Sequence, residues 1–363
     1  MPLLRILDSY IIRKYLATFG FSLLICSLIS VAIDFTDKVK SFIEKPCTVQ
    51  EIAFDYFLGF LLHMAGLLLP LYTLIAVVFF TSRLAFNSEI LSVFSAGISF
   101  NRLLKPYLAA GTLIAALHLV MNHLVTPQTN KTRLQFERTY VYTDQEKSRS
   151  SNVHFFVAPD VKVYIQGYNK TAKAASGLRL EKLSGNKIVS LLTADNARWK
   201  GPPNRWELTG VSIRTFNGLE ERLIRLEAPL DTAINLTPQD FIYYHNQNEE
   251  MTTPELQAAM ARDRERGLSN TKQFAIEAHR RTADAATNIV LTVIGLAVAG
   301  RKVRGGMGLH LAVGIGLGAL FILLSKFAIS FAASGVLPPV LGIWLPNIFF
   351  SGVALWLIRR AQK

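Results

Sequence analysis

Residues 57–82 read FLGFLLHMAGLLLPLYTLIAVVFFTS, 26 positions without a lysine, arginine or carboxylate. As a helix this run is about 39 Å long, more than the roughly 30 Å hydrocarbon core of a bilayer. Water-soluble domains rarely contain one such run. Working outward, residues 15–33, 106–130, 305–325 and 327–358 are equally free of charge, and 285–300 is a shorter run of 16 residues. The chain therefore reads as a polytopic α-helical membrane protein with six transmembrane helices, split three and three by a large polar insert. The insert is expected to fold outside the bilayer.

Charge placement sets the expected orientation. The 363-residue chain carries 39 lysines and arginines against 26 acids, a net charge of +13. A basic protein can signal a nucleic-acid partner, but these charges lie in the wrong places for one. Arg5, Arg13 and Lys14 precede or open the first span; Arg83, Arg102 and Lys105 lie between spans 2 and 3. Arg301, Lys302 and Arg304 lie between spans 4 and 5, and Arg359, Arg360 and Lys363 close the chain. All four groups fall on one side of a six-helix topology, which the positive-inside rule makes cytoplasmic. Both termini are then expected inside and the insert outside, with no nucleic acid bound. The first span is longer than a signal-peptide core and no small-x-small cleavage site follows it, so it reads as retained. Cys26 lies in a span and Cys47 in an external loop, so no disulfide is expected.

Local signals divide the chain further. Thr48 with Glu51 three residues on has the spacing of a capping box. Pro70 is expected to kink span 2. Ser88 and Glu89, followed by apolar residues and Gly97, read as a short amphipathic helix on the inside, near 85–97. Span 3 is expected to end near Val125-Thr126-Pro127-Gln128. Within the insert, 154–157, 162–167, 177–183, 187–199, 205–216 and 222–226 are short β-branched or aromatic runs separated by turns. These include Pro159-Asp160, Ser184-Gly185-Asn186 and Asn217-Gly218. Such runs predict an antiparallel sandwich or open barrel, with a bulge at Gly210, where the alternation slips by one residue. Thr252-Thr253-Pro254-Glu255 opens a helix that Gly267 stops, and another is expected to start at Ser269 and run into span 4. Span 4 is short, so Arg280 and Arg281 must snorkel or lie against protein. The expected domains are 1–130, 131–268 and 269–363.

Enzyme signatures are missing from the sequence. There is no Walker A loop, H-E-x-x-H, G-x-S-x-G or aspartate-rich metal motif. His118 and His123, five apart, do not share a helix face and read as packed or interfacial side chains. Glu89 is either the contact of a coupling helix with a basic residue of a cytoplasmic partner or a solvated carboxylate. Lys326 interrupts an apolar stretch; it either faces an anionic substrate in a cavity or snorkels to the headgroups. Lys38, Lys40 and Lys45 after span 1, and Lys131, Arg133 and Arg138 after span 3, either meet anionic headgroups or form an ordinary charged surface. Gly314 and Gly318 have the G-x-x-x-G spacing that permits close helix contact.

The arrangement resembles the LptF/LptG permeases of the bacterial lipopolysaccharide exporter. Leu7-Asp8-Ser9-Tyr10-Ile11 is similar to the start of the LptG branch. Ser88-Glu89-Ile90 with Ala96-Gly97-Ile98-Ser99 resembles the family's internal loop. Val125-Thr126-Pro127-Gln128, Leu236-Thr237-Pro238 and Leu337-Pro338-Pro339 recur at the expected places. The resemblance implies an inner-membrane half-transporter with a periplasmic β-jellyroll. An LptF-type second subunit would pair with it in an LptB2FG complex, and two LptB-type ATPases would bind inside. LptC-type and LptA-type β-jellyroll proteins would extend the lipid path. It also implies no cofactor of its own, ATP being bound by the partner, and no enzymatic activity in this chain. Glu89 would be the ATPase-coupling residue. Lys38, Lys40, Lys131, Arg133, Arg138 and Lys326 would bind substrate. A cargo-binding lysine that some members carry after span 1 corresponds here to Asp34. Two other readings stand beside this one: a subunit that transmits force to an external partner without moving lipid, and a membrane enzyme with a lectin-like domain.

Overall fold

The computed structural model describes residues 6–141, 151–185, 187–241, 247–266, 272–300 and 306–361. The expectations for Arg5, Asn186, Gly267, Ser269, Arg301, Lys302, Arg304 and Lys363 lie outside the described residues. The chain forms a helical unit (residues 6–141, 248–256 and 272–361) and a β-unit (151–241 and 257–266).

Among the described residues, six helices of the helical unit are long and apolar enough to cross a membrane. They are α1 (Ile6–Glu44), α2 (Val49–Phe86), α4 (Phe100–Val141), α6 (Lys272–Ala299), α7 (Gly306–Ser334) and α8 (Pro339–Ala361). The short α3 (Glu89–Ser95) sits between α2 and α4, and α5 (Thr253–Glu265) precedes α6. The Thr48 capping box forms as its spacing predicts: the Thr48 hydroxyl accepts from the Glu51 backbone N–H, and the Glu51 carboxylate accepts from the Thr48 N–H at 2.8 Å.

Two helix ends differ from expectation. The third span does not stop at Pro127 but runs to Val141. A widened π-turn at Met121–Val125 precedes the proline, which then sits in the first turn of regular helix at Thr126–Phe136. A missing N–H and a bulky ring are tolerated there. Nor does Lys326 break its span. It lies inside α7, which ends instead at Gly335 with φ +86°, a left-handed position that suits glycine.

Helix α6 is the hub. Its polar side chains hydrogen-bond to four neighbouring spans: Asn288 Oδ1 accepts from Thr73 of α2 (2.8 Å), and Asn288 Nδ2 lies 2.9 Å from His118 of α4. Thr287 donates to Asn347 of α8 (2.8 Å), and Thr292 lies 2.8 Å from the Tyr15 hydroxyl of α1. Where lipid offers no polar partner, such bonds and small residues hold helices together. Gly314 and Gly318 play the second part: a Cβ at either would lie 2.9–3.0 Å from Val78 or Leu74, so α7 packs closely on α2.

Among the described residues the β-unit is an antiparallel sheet, as the turn-bounded runs predict, with eight strands where the sequence offers six runs. Its strands are β1 (Ser151–Ala158), β2 (Val161–Asn169), β3 (Ala174–Ser184), β4 (Lys187–Gly201), β5 (Arg205–Thr209), β6 (Val211–Asn217), β7 (Glu220–Leu226) and β8 (Leu230–Ala233). The order is β1-β2-β3-β4-β5-β8, with β6 also on β4 and β7 on β6. The run 205–216 is two strands rather than one bulged strand. Gly210, at φ +66°, breaks it, and the halves pair with different ends of β4. Alternate residues Val153, Phe155 and Val157 of β1, and Val163 and Ile165 of β2, face the core. Trp206 is buried there, its Nε1 donating to the Leu236 carbonyl at 2.9 Å, while Phe241 stacks on Tyr168 at 3.8 Å.

Asp240 immediately precedes the core residue Phe241. Its carboxylate takes a two-pronged bond from Arg266 (2.9 and 3.2 Å) and caps the Thr237 N–H at 2.7 Å. Burial pushes the Asp240 carboxyl up, but the Arg266 and Thr237 bonds outweigh it and hold the group below the usual carboxylate range. A depressed folded pKa contributes stability that is complete above the unfolded value of about 3.9 and is lost as pH falls through the folded value. Asp240→Asn should destabilise the β-unit by about 3 kcal/mol at neutral pH, leaving Arg266 unpaired. The gap between parent and variant should narrow below about pH 4, read by tryptophan fluorescence during urea unfolding of the full chain.

Candidate functional site

Three groups of side chains carry the chemistry of the helical unit. The first lies at the Ile6 end of α1. Ser88, at φ 64°, turns the chain sharply out of α2, and Glu89 is the first residue of α3. The Tyr10 hydroxyl donates to Glu89 Oε2 at 3.0 Å, and Asn87 Nδ2 lies 3.5 Å from the other oxygen. Ile90 is buried beneath α3 while Leu91 is exposed, so the helix is amphipathic as expected. It stops before Gly97, which has φ +78°.

The second group lies at the Glu44 end. Lys38 Nζ binds Asp34 Oδ1 and Glu137 Oε1, each at 2.9 Å, and also contacts the Tyr56 hydroxyl. Glu137 accepts from Arg133 Nη1 at 3.0 Å, and Arg133 Nε donates to Asn130 at 2.8 Å. Side chains of Lys38 and Arg133 are only 12% and 8% exposed. Arg138 pairs with Glu250. Lys40 is exposed, 3.9 Å from Glu44, and Lys131 is exposed. Of the six basic residues expected to bind substrate, Lys38 and Arg133 thus meet on one carboxylate in the interior. Arg138 is paired separately, Lys40 and Lys131 stand on the surface, and Lys326 lies elsewhere.

Lys326 belongs to the third group, an open pocket of about 720 Å³ between α2, α6 and α7. Leu67, Leu71, Phe321 and Ile322 contribute an apolar wall, and Arg280, Asp284 and Lys326 a charged one. Arg280 and Asp284 also line a neighbouring polar pocket of about 400 Å³ with His63, Asn122 and Glu249. There Glu277 bridges Arg280 (2.8 Å) and Arg281 (3.0 Å). Arg281 donates to the carbonyls of Asn248 (3.3 Å) and Met251 (2.8 Å). The first turns of α6 therefore lie against protein rather than snorkelling. Burial pushes the Glu249 carboxyl up, with Arg280 pulling it partly back.

Glu277, Asp284, Glu249 and His63 were not among the sequence-derived site residues. The signal for two of them was present: Glu277, Arg280, Arg281 and Asp284 are spaced i, i+3, i+4, i+7, one face of a helix. Chemically, an apolar wall beside the Lys326 cation suits an amphipathic anion. Among the described residues no group of three or more His, Cys, Asp or Glu side chains is placed to hold a metal ion.

A family model described as "Lipopolysaccharide export system permease LptF/LptG" matches residues 9–360, nearly the whole chain. No curated protein matches it.

The two kinds of basic residue should respond differently to substitution. Glu137→Ala strands Arg133 as a buried cation and leaves Lys38 with Asp34 alone, and should cost about 3–5 kcal/mol. Lys40→Ala and Lys131→Ala should stay within about 0.5 kcal/mol. Thermal unfolding of the detergent-solubilised protein separates the two classes.

Proposed function

The chain belongs to the LptF/LptG family of lipopolysaccharide export permeases, and on that premise we propose that it is the LptG-type half of an exporter that lifts lipopolysaccharide from the outer leaflet of the inner membrane. Membership makes it a membrane permease of lipopolysaccharide export, working with other components of that system. In the proposed arrangement the Ile6 end is cytoplasmic, in keeping with the lysines and arginines of the loops there, and the β-unit is periplasmic. An LptF-type subunit covers the exposed side of α1. Two LptB-type ATPases dock on α3 with Glu89 at the contact, and supply the ATP site. The β-unit hands lipid to LptC-type and LptA-type partners by strand addition at a sheet edge.

The pocket between α2, α6 and α7 is the observation that carries the reading. Leu67, Leu71, Phe321 and Ile322 offer apolar surface to acyl chains, and Lys326 offers positive charge to phosphates, Arg280 beside it being held by Glu277. Asp284, on the same wall, is the counter-charge that keeps Lys326 compatible with a membrane interior between cargoes. Lys40 and Lys131 meet phosphates at the rim, whereas Lys38, Arg133 and Arg138 act by holding helices in place.

One observation favours the force-transmitting alternative: three of the six candidate cations are engaged in internal pairs. Photocrosslinking in cells separates the two. A crosslinker at Leu71 or Lys326 should capture lipopolysaccharide, with a yield that changes when ATP hydrolysis is blocked. Adducts to protein alone at both positions would move the conclusion to force transmission.

A further inference from the structure

Helix α1 is fastened most firmly to the helical unit at its two ends, with Leu23 and Cys26 packing only partly buried against it between them. From Gly20 to Ser41 none of its residues is buried, and Phe21, Leu24, Leu28, Ile29 and Ile33 are largely exposed. At the Glu44 end it is fastened by Lys38 to Asp34 and Glu137 and by the buried Phe42. At the Ile6 end the fastening is of a different kind. Asp8 accepts a fork of two bonds from Arg102, 2.8 and 2.6 Å long. Tyr10 donates to Glu89 at 3.0 Å. Just beyond, Tyr15 is fully buried and lies 2.8 Å from Thr292 of α6.

The placement of the two partners gives these bonds their meaning. Glu89 is the first residue of α3, and Arg102 lies in the first turn of α4. The elbow joining α2 to α4 is thus gripped at both ends, by residues two apart on α1. A two-pronged arginine–carboxylate pair resists both stretching and rotation. A 39-residue helix is a stiff rod of about 58 Å. Displacing α3 therefore pulls the end of this rod along instead of only bending the elbow.

We propose that Asp8 and Tyr10 are positioning residues that pass motion of the elbow to α1, which tilts as a lever about its Tyr15 contact with α6. The exposed middle of α1 then closes on or parts from the surface that covers it. This rests on the reading of α3 as the docking helix of a separate ATPase. It adds the route from that helix to a membrane span that α3 itself does not belong to.

The test uses the reconstituted complex of this chain with its second permease subunit and ATPase, in vesicles containing lipopolysaccharide. Spin labels go on Ile29→Cys and Phe327→Cys, with Cys26 and Cys47 changed to serine. Their separation is measured with and without a non-hydrolysable ATP analogue, beside lipid released per ATP hydrolysed. In the parent complex the separation should shift with nucleotide. In Asp8→Asn and in Tyr10→Phe, ATP hydrolysis should continue, the shift should shrink, and lipid per ATP should fall at least about fivefold. Exchanging the charges, Asp8→Arg with Arg102→Asp, should restore both readouts. Should the Asp8 variants fail to assemble, Tyr10→Phe, which deletes one hydroxyl, carries the test. Variants that keep the full shift and ratio while the parent releases lipid would overturn the lever alone. A parent that hydrolyses ATP without releasing lipid would overturn the function proposed above, whatever the label separation does.

Discussion

A hydrocarbon interior has no water with which to solvate a charge, and the helical unit is organised around that constraint. Glu277 pairs with both Arg280 and Arg281, and Arg281 also donates to the carbonyls of Asn248 and Met251. Because these groups sit on the first turns of α6, that helix is fixed in rotation. Its Thr287, Asn288 and Thr292 then face the polar partners on α8, α2, α4 and α1. Removing one member of such a network leaves a buried charge without a partner, which costs more than the pair contributes by existing. The same rule places Lys38 and Arg133 on Glu137 at the far end of α1 and α4.

Much of this architecture is legible in the sequence because it depends on local patterns. Six apolar runs give six spans, turn residues bound the strands, and Thr48 with Glu51 gives its capping box. The misread positions have a common cause, which is that neighbours decide them. Pro127 ends no helix because the π-turn before it absorbs the missing bond. Lys326 ends none because its side chain has a pocket to enter. The short strand Leu230–Ala233 does not stand out from its loop in the sequence because four residues carry too little pattern. Basic residues are the hardest case. Lys38 and Lys40 look alike in the sequence, but the partner that buries Lys38 is Glu137, 99 positions away.

The internal pairing changes what a basic end can do for an anionic cargo. A cation already holding a carboxylate must exchange it for a phosphate, whereas Lys40, Lys131 and Lys326 are reachable without breaking a buried network. The cavity thus divides its tasks. On the proposed function, buried cations set helix positions, exposed ones attract charge, and apolar walls on α2 and α7 receive chains. Gly314 and Gly318 bring those two helices into close contact at Val78 and Leu74.

The most direct measurement is release of labelled lipopolysaccharide from vesicles holding the reconstituted complex, with the parent chain and with Ile322→Trp, which fills the pocket between α2, α6 and α7. The account predicts ATP-dependent release by the parent and a large loss of release by the variant, with ATP hydrolysis retained. Equal release from both would contradict the pocket as the lipid's place.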